Sequence, residues 1–319
     1  MKSLTKNKQS RETIERMVKR CFPGRKMAGH IELTEGCFNV AYEIELDGGE
    51  RVILKVAPAP SARVMTYEKN IMYSEVEAMK AAKAAGLPAP AVLAYDDSRT
   101  VCGSTYFFME KLPGQSLHSI KGSLTEREIA EINCQVGSIN RKINDIRYPC
   151  FGYPGQTEFQ GNEWFPVFRK MLEAGVRDAE NGHVDVKINI DKLWQVLEHD
   201  RPIFEEVPEP RLVHWDCWDG NIFAENGMVT GIIDWERSLW ADPLMEVGFR
   251  TYSQNEDFLA GYGIGGLTAN QQRRAMWYDV YLMLLVSLEC EYRQYETMDM
   301  YEWSTGVLVR QFEKLEEAL

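Results

Sequence analysis

Two short stretches hold most of the groups that could do chemistry. One is His214-Trp215-Asp216-Cys217-Trp218-Asp219-Gly220-Asn221, and the other is Ile232-Ile233-Asp234-Trp235-Glu236. Between them, Asn226-Gly227 suits the tip of a tight hairpin, because both residues tolerate positive φ. Counting outward from that tip puts Asn221 and Asp234 near the same open end, and Asp216, in the loop just before, reaches the same point. Two carboxylates and an amide oxygen then converge on one small volume. Hard oxygen ligands of this kind suit Mg²⁺, which keeps several waters and bridges substrate phosphates. A further carboxylate nearby could accept the proton of an attacking hydroxyl. Phosphoryl transfer needs those parts, a metal to offset charge and a carboxylate to orient the nucleophile.

A second element is Lys55, near the end of the apolar run Val52-Ile53-Leu54-Lys55-Val56. An ammonium there must find a partner or reach solvent. Nucleotide phosphates would serve, and so would a glutamate of Ser74-Glu75-Val76-Glu77 on the following helix. The third element, Glu35-Gly36-Cys37-Phe38-Asn39, lies between two strands and could fold over phosphates, although it holds one glycine.

Each residue also has a plainer use. His214 reads as a satisfied core histidine, Asp216 as a turn or cap, and Asn221 and Asp234 as hairpin flanks. Lys55 could snorkel to the surface, and Glu75 could sit on a solvated helix face. Trp215, Trp218, Trp235 and Trp240 could cage a quaternary ammonium, but packing below the loop is the simpler expectation. Asp219, Glu225 and Glu246 could attract a cation, yet they read as solvated carboxylates, or a helix cap for Glu246. Met276, Met283, Met298 and Met300 are expected to fill core and loops.

The elements that must position these residues follow from the change of hydrophobic period. A helix carrying Ile14, Met17, Val18 and Cys21 starts at Ser10 and stops at Pro23-Gly24. Val40, Tyr42, Ile44 and Leu46 alternate, as do Val52, Leu54 and Val56, and Asp47-Gly48-Gly49 joins them as a hairpin. A helix is expected over Ser74 to Ala85, then strands over Ala91 to Tyr95 and Thr105 to Met109. Lys111-Leu112-Pro113-Gly114 marks a boundary. Beyond it the spacing predicts helices over Thr125 to Ile143, Trp164 to Asp178, Ile190 to Asp200 and Gln271 to Tyr292. Short strands interrupt them at Arg211 to Trp215 and around Glu225-Asn226-Gly227. The fold class is α+β, a small β-rich lobe joined by a hinge to a larger helical lobe.

Length and composition bound the rest. The 319 residues suffice for about two domains, with 45% hydrophobic and 26% charged residues, as in ordinary globular proteins. With 36 Lys plus Arg against 48 Asp plus Glu, the net charge is -12. Such a surface repels phosphate backbones, so no nucleic-acid partner is expected, and it weakly favours a cationic small substrate. Met1 to Ser10 has no secretory core, and Val280 to Leu288, the most apolar run, is far short of the ~20 residues a membrane span needs. No membrane association is expected, and that run reads as a buried helix. The seven cysteines are odd in number and lack C-x-x-C spacing, which fits reduced thiols in a cytoplasmic protein.

The pattern H-x-D-x-x-x-x-N followed by I-D-W, with an upstream strand lysine and helix glutamate, resembles the aminoglycoside phosphotransferase and choline kinase family, small-molecule relatives of the protein kinases. Tyr106-Phe107-Phe108-Met109-Glu110-Lys111-Leu112-Pro113-Gly114 resembles the hinge of that family, and Ala241-Asp242-Pro243 follows the metal aspartate as in many members. The resemblance implies a protein-kinase-like two-lobe fold, with a nucleotide-binding lobe over 1–110 and a catalytic and substrate lobe over 111–319. It implies that Asp216 positions or deprotonates the acceptor hydroxyl, that Asn221 and Asp234 hold Mg²⁺, and that Lys55 contacts nucleotide phosphates. Counting back from Pro88 and Pro90 matches the family spacing at Glu75, which would hold Lys55. The backbone of Glu110 and Leu112 would contact adenine, and His214 would anchor the catalytic loop.

The activity so implied is ATP-dependent transfer of the γ-phosphoryl group to a hydroxyl, with GTP left open. The acceptor is an aminoglycoside by first expectation, with choline, another amino alcohol or a different antibiotic as alternatives. Phe151-Gly152-Tyr153-Pro154-Gly155 and the helix near Trp164 lie where the family builds its acceptor pocket. The nucleotide loop lacks the full Gly-x-Gly-x-x-Gly pattern. No A-P-E segment follows Asp234, which argues against a protein kinase. A nucleotide-binding module without transfer activity is the alternative from another class. Oligomeric state is not legible.

Overall fold

Ser10 accepts a hydrogen bond from the Thr13 amide and so caps the first helix, α1 (Arg11–Cys21). In this computed structural model, which describes residues 5–34, 36 and 38–317, the strands β1 (Met27–Leu33), β2 (Val40–Leu46) and β3 (Arg51–Val56) follow. Helix α2 (Ile71–Ala84) precedes β4 (Val92–Asp96) and β5 (Tyr106–Glu110). The five strands pair antiparallel in the order β1-β2-β3-β5-β4. On β2, Val40, Tyr42, Ile44 and Leu46 are the buried positions, as the alternation predicts. β3 is buried at every residue from Val52 to Val56 because both faces of the sheet are covered there. Val52, Leu54 and Val56 share a core with Ile14, Met17 and Val18 of α1. Ile53 packs in the other core with Met72, Val76 and Met79 of α2. Lys55 alternates with Leu54, so it shares the α2 side.

After the link at 111–114 come β6 (Gln115–Ser116), α3 (Leu117–Ile120), α4 (Glu126–Ile143), α5 (Trp164–Gly182), α6 (Ile190–His199) and α7 (Arg201–Phe204). The short strands β7 (Arg211–Val213), β8 (Ile222–Glu225), β9 (Met228–Ile232) and β10 (Leu239–Ala241) follow, and α8 (Glu256–Tyr262), α9 (Ala269–Arg293) and α10 (Asp299–Glu317) close the chain. β6, β8 and β9 form one small sheet, and β7 pairs with β10. α9 is buried at every residue from Trp277 to Cys290, so the apolar run there is a core helix. Gly137 of α4 and Gly261 of α8 let those helices touch. A Cβ at Gly137 would meet the Phe258 carbonyl, and one at Gly261 the Cys134 carbonyl. No helix among the described residues is long and apolar enough to cross a membrane. The six described cysteines are free thiols.

Several boundaries differ from the sequence expectation. α2 begins at Ile71 rather than Ser74, because tertiary bonds set its start. Its N-cap Asn70 has φ 56° and no capping bond from its side chain. Instead Asn70 Nδ2 donates to the Gly155 carbonyl at 3.2 Å, and the Gly155 amide donates to Ser74 Oγ at 3.0 Å. The lead-in to α2 is fastened the same way. Asp178 of α5 accepts from the Thr66 amide at 2.6 Å and its hydroxyl at 2.8 Å. Gln156 Nε2 donates to the Tyr67 carbonyl at 2.9 Å, and Arg293 pairs with Glu68 at 2.9 Å. α5 runs on to Gly182 and α9 starts at Ala269. α8 and α10 are elements the sequence reading does not anticipate, and the strand it expects before residue 35 is β1, to which it gave no bounds.

Candidate active site

The hairpin β8–β9 pairs Ile222 with Ile232 around Asn226 and Gly227, whose φ values are 52° and 76°. That register brings Asn221 beside Ile233, whose amide donates to the Asn221 carbonyl at 2.9 Å. Asn221 Nδ2 donates to the Asp216 carbonyl at 2.8 Å and to its Oδ2 at 3.2 Å. Those bonds use the amide nitrogen and leave the amide oxygen to face another partner.

The loop carrying Asp216 is held from beneath. Glu246 is fully buried; Oε1 accepts from the His214 amide at 2.9 Å and from Asn144 Nδ2 at 3.0 Å, and Oε2 accepts from the Trp215 amide at 3.1 Å. These bonds fix Trp215 at φ 62°, a left-handed turn that a bulky residue keeps only under such constraint. Its indole stacks on Tyr281 of α9 at 5.4 Å and 9°. His214 Nδ1 accepts from the Asp216 amide at 3.2 Å, so the proton sits on Nε2, which faces the Ile233 carbonyl at 3.1 Å. Burial pulls the His214 pKa down to about 4. The ring is a neutral spacer between the two loops.

Lys55 reaches the same place from above. Its Nζ lies 2.6 Å from Glu75 Oε1 and 2.7 Å from Asp234 Oδ1. Burial works against its charge, but Asp234 and then Glu75 outweigh that, and its pKa stands above the ordinary value. Glu75 is fully buried, whereas Glu77 is half-exposed and pairs with Lys80. Burial raises the Glu75 pKa against the pull of Lys55, and Lys55 holds the Asp234 carboxyl low despite burial. Asp234 itself has φ 61°, which turns its side chain back toward the lysine. Burial pushes the Asp216 carboxyl up to about 6, with Arg237 acting against that.

The reading from sequence missed the roles of two residues, Glu246 and Glu236. Glu246, expected as a solvated or capping carboxylate, is the buried acceptor just described. The signal was an acid inside the apolar run Leu244-Met245-Glu246-Val247-Gly248-Phe249. Glu236 accepts from Asn39 Nδ2 at 2.9 Å, tying the segment before β2 to the segment after Asp234. Carboxylate oxygens of Glu75, Asp234 and Glu236 lie within 4.8 Å of one another. Three carboxylates face one ammonium there, a donor set that fits a divalent cation. In the loop itself, Glu35 and Cys37 lie outside the described residues. Phe38 is buried below the Arg293 guanidinium, 5.2 Å from its ring centre.

The tryptophans form no cage. Trp215, Trp235 and Trp240 are buried in separate contacts, on Tyr281, His214 and Tyr148. Trp218 is exposed beside His118. Met283 is core, but Met298 is exposed. At the hinge, the Glu110 amide donates to the Ala91 carbonyl at 2.9 Å and its carboxylate pairs with Lys83 at 3.0 Å. Leu112 packs on Gly231 of β9, where any larger residue would clash.

With this geometry in place, the chain matches the model of a family described as the phosphotransferase enzyme family over residues 31–277. A subtelomeric hrmA-associated cluster protein of Aspergillus fumigatus is 37% identical over 165 residues, 50% of this chain and 32% of that protein. The chain thus spans about a third of that relative's length. A thermostable mutant of aminoglycoside phosphotransferase APH(4)-Ia, solved with AMP-PNP and hygromycin B, superposes with a TM-score of 0.60 at 21% identity, covering 94% of this chain and 98% of that one. A candidate fructosamine-3-kinase of Thermobifida fusca gives 0.67 at 14% identity, covering 95% and 100%. Similarity at that level establishes a common protein-kinase-like two-lobe fold.

Proposed function

From the premise that this chain belongs to the phosphotransferase enzyme family, we propose that it transfers the γ-phosphoryl group of ATP to a hydroxyl of a small molecule. The observation that carries this is the convergence of Asp216, Asn221, Asp234, Lys55 and Glu75, drawn from both lobes, on one volume. In the reaction the acceptor oxygen bonds to the γ-phosphorus while the bond from that phosphorus to the β–γ bridging oxygen breaks. ADP leaves with the electron pair, and the hydroxyl proton passes to the Asp216 carboxylate. Asn221 keeps that carboxylate oriented, and Lys55, held by Glu75, binds nucleotide phosphate. A magnesium ion, which Asp234 and the amide oxygen of Asn221 would hold with Glu236 as a neighbour, would offset phosphate charge. Glu110 and Leu112 are the hinge positions proposed for adenine.

The test is ADP release from Mg-ATP across a panel of hydroxyl acceptors, with Asp216→Asn as the blank. Release at least 10³-fold above that blank with one acceptor is expected. Equal release from both proteins would overturn the role of Asp216.

A further inference from the structure

The strands that carry Lys55 meet the helical lobe through few polar contacts. Among the described residues, β1, β2, β3 and their links make two side-chain hydrogen bonds to that lobe. Lys55 Nζ meets Asp234 Oδ1 at 2.7 Å, and Asn39 Nδ2 donates to Glu236 Oε2 at 2.9 Å. The first bond joins the two groups with work to do on a bound nucleotide. Lys55 is there for phosphate and Asp234 for the cation, so a filled site turns each toward a new partner. The second bond faces no such exchange. Asn39 and Glu236 are both buried, and Asn39 Oδ1 has no partner, so the bond to Glu236 is the one hydrogen bond of that side chain. A buried amide that lost it would be left wholly unpaired.

Asn39 is well placed to steady the lysine. In the register of β2 on β3, Ala41 lies opposite Lys55. Asn39 is two residues, or roughly 7 Å of extended chain, from that position. It is not held alone. Phe38 beside it is buried, with the Arg293 guanidinium 5.2 Å from its ring centre. Arg293 pairs with Glu289 at 3.3 Å, and Arg237, the residue after Glu236, pairs with the same Glu289 at 2.8 Å. The contacts close a ring. It runs from Asn39 to Glu236, along the chain to Arg237, across to Glu289, one turn along α9 to Arg293, and back through Phe38. Half of the ring is backbone and helix, which fixes where Glu236 can present its carboxylate.

This inference rests on the kinase reading above: we propose that Asn39 and Glu236 form a clasp that keeps the sheet seated on the helical lobe, and Lys55 over Asp234, when the nucleotide takes over the bond between those two. Both are positioning residues, which act on the nucleotide through Lys55. Glu236 then works as the partner of Asn39 rather than as an acid at the cation.

The unaltered protein and its variants are titrated by calorimetry with AMP-PNP in saturating Mg²⁺. Asn39→Ala removes the bond and is expected to bind AMP-PNP roughly ten-fold more weakly or worse. The paired exchange of Asn39→Asp with Glu236→Gln rebuilds the bond with donor and acceptor reversed and the net charge unchanged. It is expected to bind within about three-fold of the unaltered protein. An Asn39→Ala affinity inside that same limit overturns the proposal. So does a paired exchange that falls outside it, because Glu236 would then be needed as an acid and not as a partner. Either result leaves the kinase reading standing, whereas failure of the unaltered protein to bind AMP-PNP overturns both. If Asn39→Ala does not fold, the paired exchange decides by the same limit.

Discussion

Lys55 serves two carboxylates at once, and the loss of its ammonium leaves Glu75 buried with nothing to balance it. Lys55→Ala is therefore expected to raise the KM for ATP at least ten-fold, about 1.4 kcal/mol of binding, and to lower stability as well. Lys55→Arg separates the two effects, since it restores charge but not the fit between Glu75 and Asp234. An ATP dependence unchanged in Lys55→Ala would remove that residue from the nucleotide site. Residue types led to Asp216, Asn221, Asp234 and Lys55, while the choice of Glu75 over Glu77 came from the family spacing. Hard oxygens and a stranded lysine are legible chemistry, and the hairpin tip sets their spacing. Glu246 was not legible in the same way. An acid near a turn is usually solvated, and only the folded chain brings the His214 and Trp215 amides and Asn144 to it.

At the scale of elements, the strands and helices with a clean period emerged from the sequence, and those shaped by their neighbours did not. β2 alternates because one face is buried. β1 is an edge strand whose Ile31 and Leu33 are exposed, so its pattern carries no such signal. α2 starts three residues early because Gly155 and Asn70 fix its first turn. α8 is short, and its presence depends on the glycine contact with α4. Gly137→Ala would drive a methyl into the Phe258 carbonyl, which is backbone and cannot rotate away. Overpacking of this kind costs about 3 kcal/mol. Urea denaturation of Gly137→Ala checks it, and an unchanged midpoint would mean that α8 shifts freely.

For the whole molecule, buried carboxyls set how stability varies with pH. Burial raises Asp279 to about 6 and Glu246 to about 7. In the folded chain they keep protons that the unfolded chain has released above roughly pH 4. Their contribution is complete below that pH and is lost as pH rises through 6 to 7, at up to about 1.4 kcal/mol per pH unit for each group. His214, held neutral by burial, works in the opposite sense below its ordinary pKa. Asp279→Asn removes one of these groups while keeping an acceptor for Thr251. The stability advantage of the unaltered chain over Asp279→Asn is expected to shrink from pH 5 to pH 7.5. A constant difference would show Asp279 ionised throughout.

The fastening of α2 has a consequence for control. Residues 66–74 are tied to α5, to the segment around Gly155 and to Arg293. Glu75 therefore belongs mechanically to the helical lobe, although it grows out of the β-rich one. A helix bolted at this end cannot swing out to withdraw its glutamate from Lys55. Any control of the proposed activity would therefore have to act somewhere other than this joint.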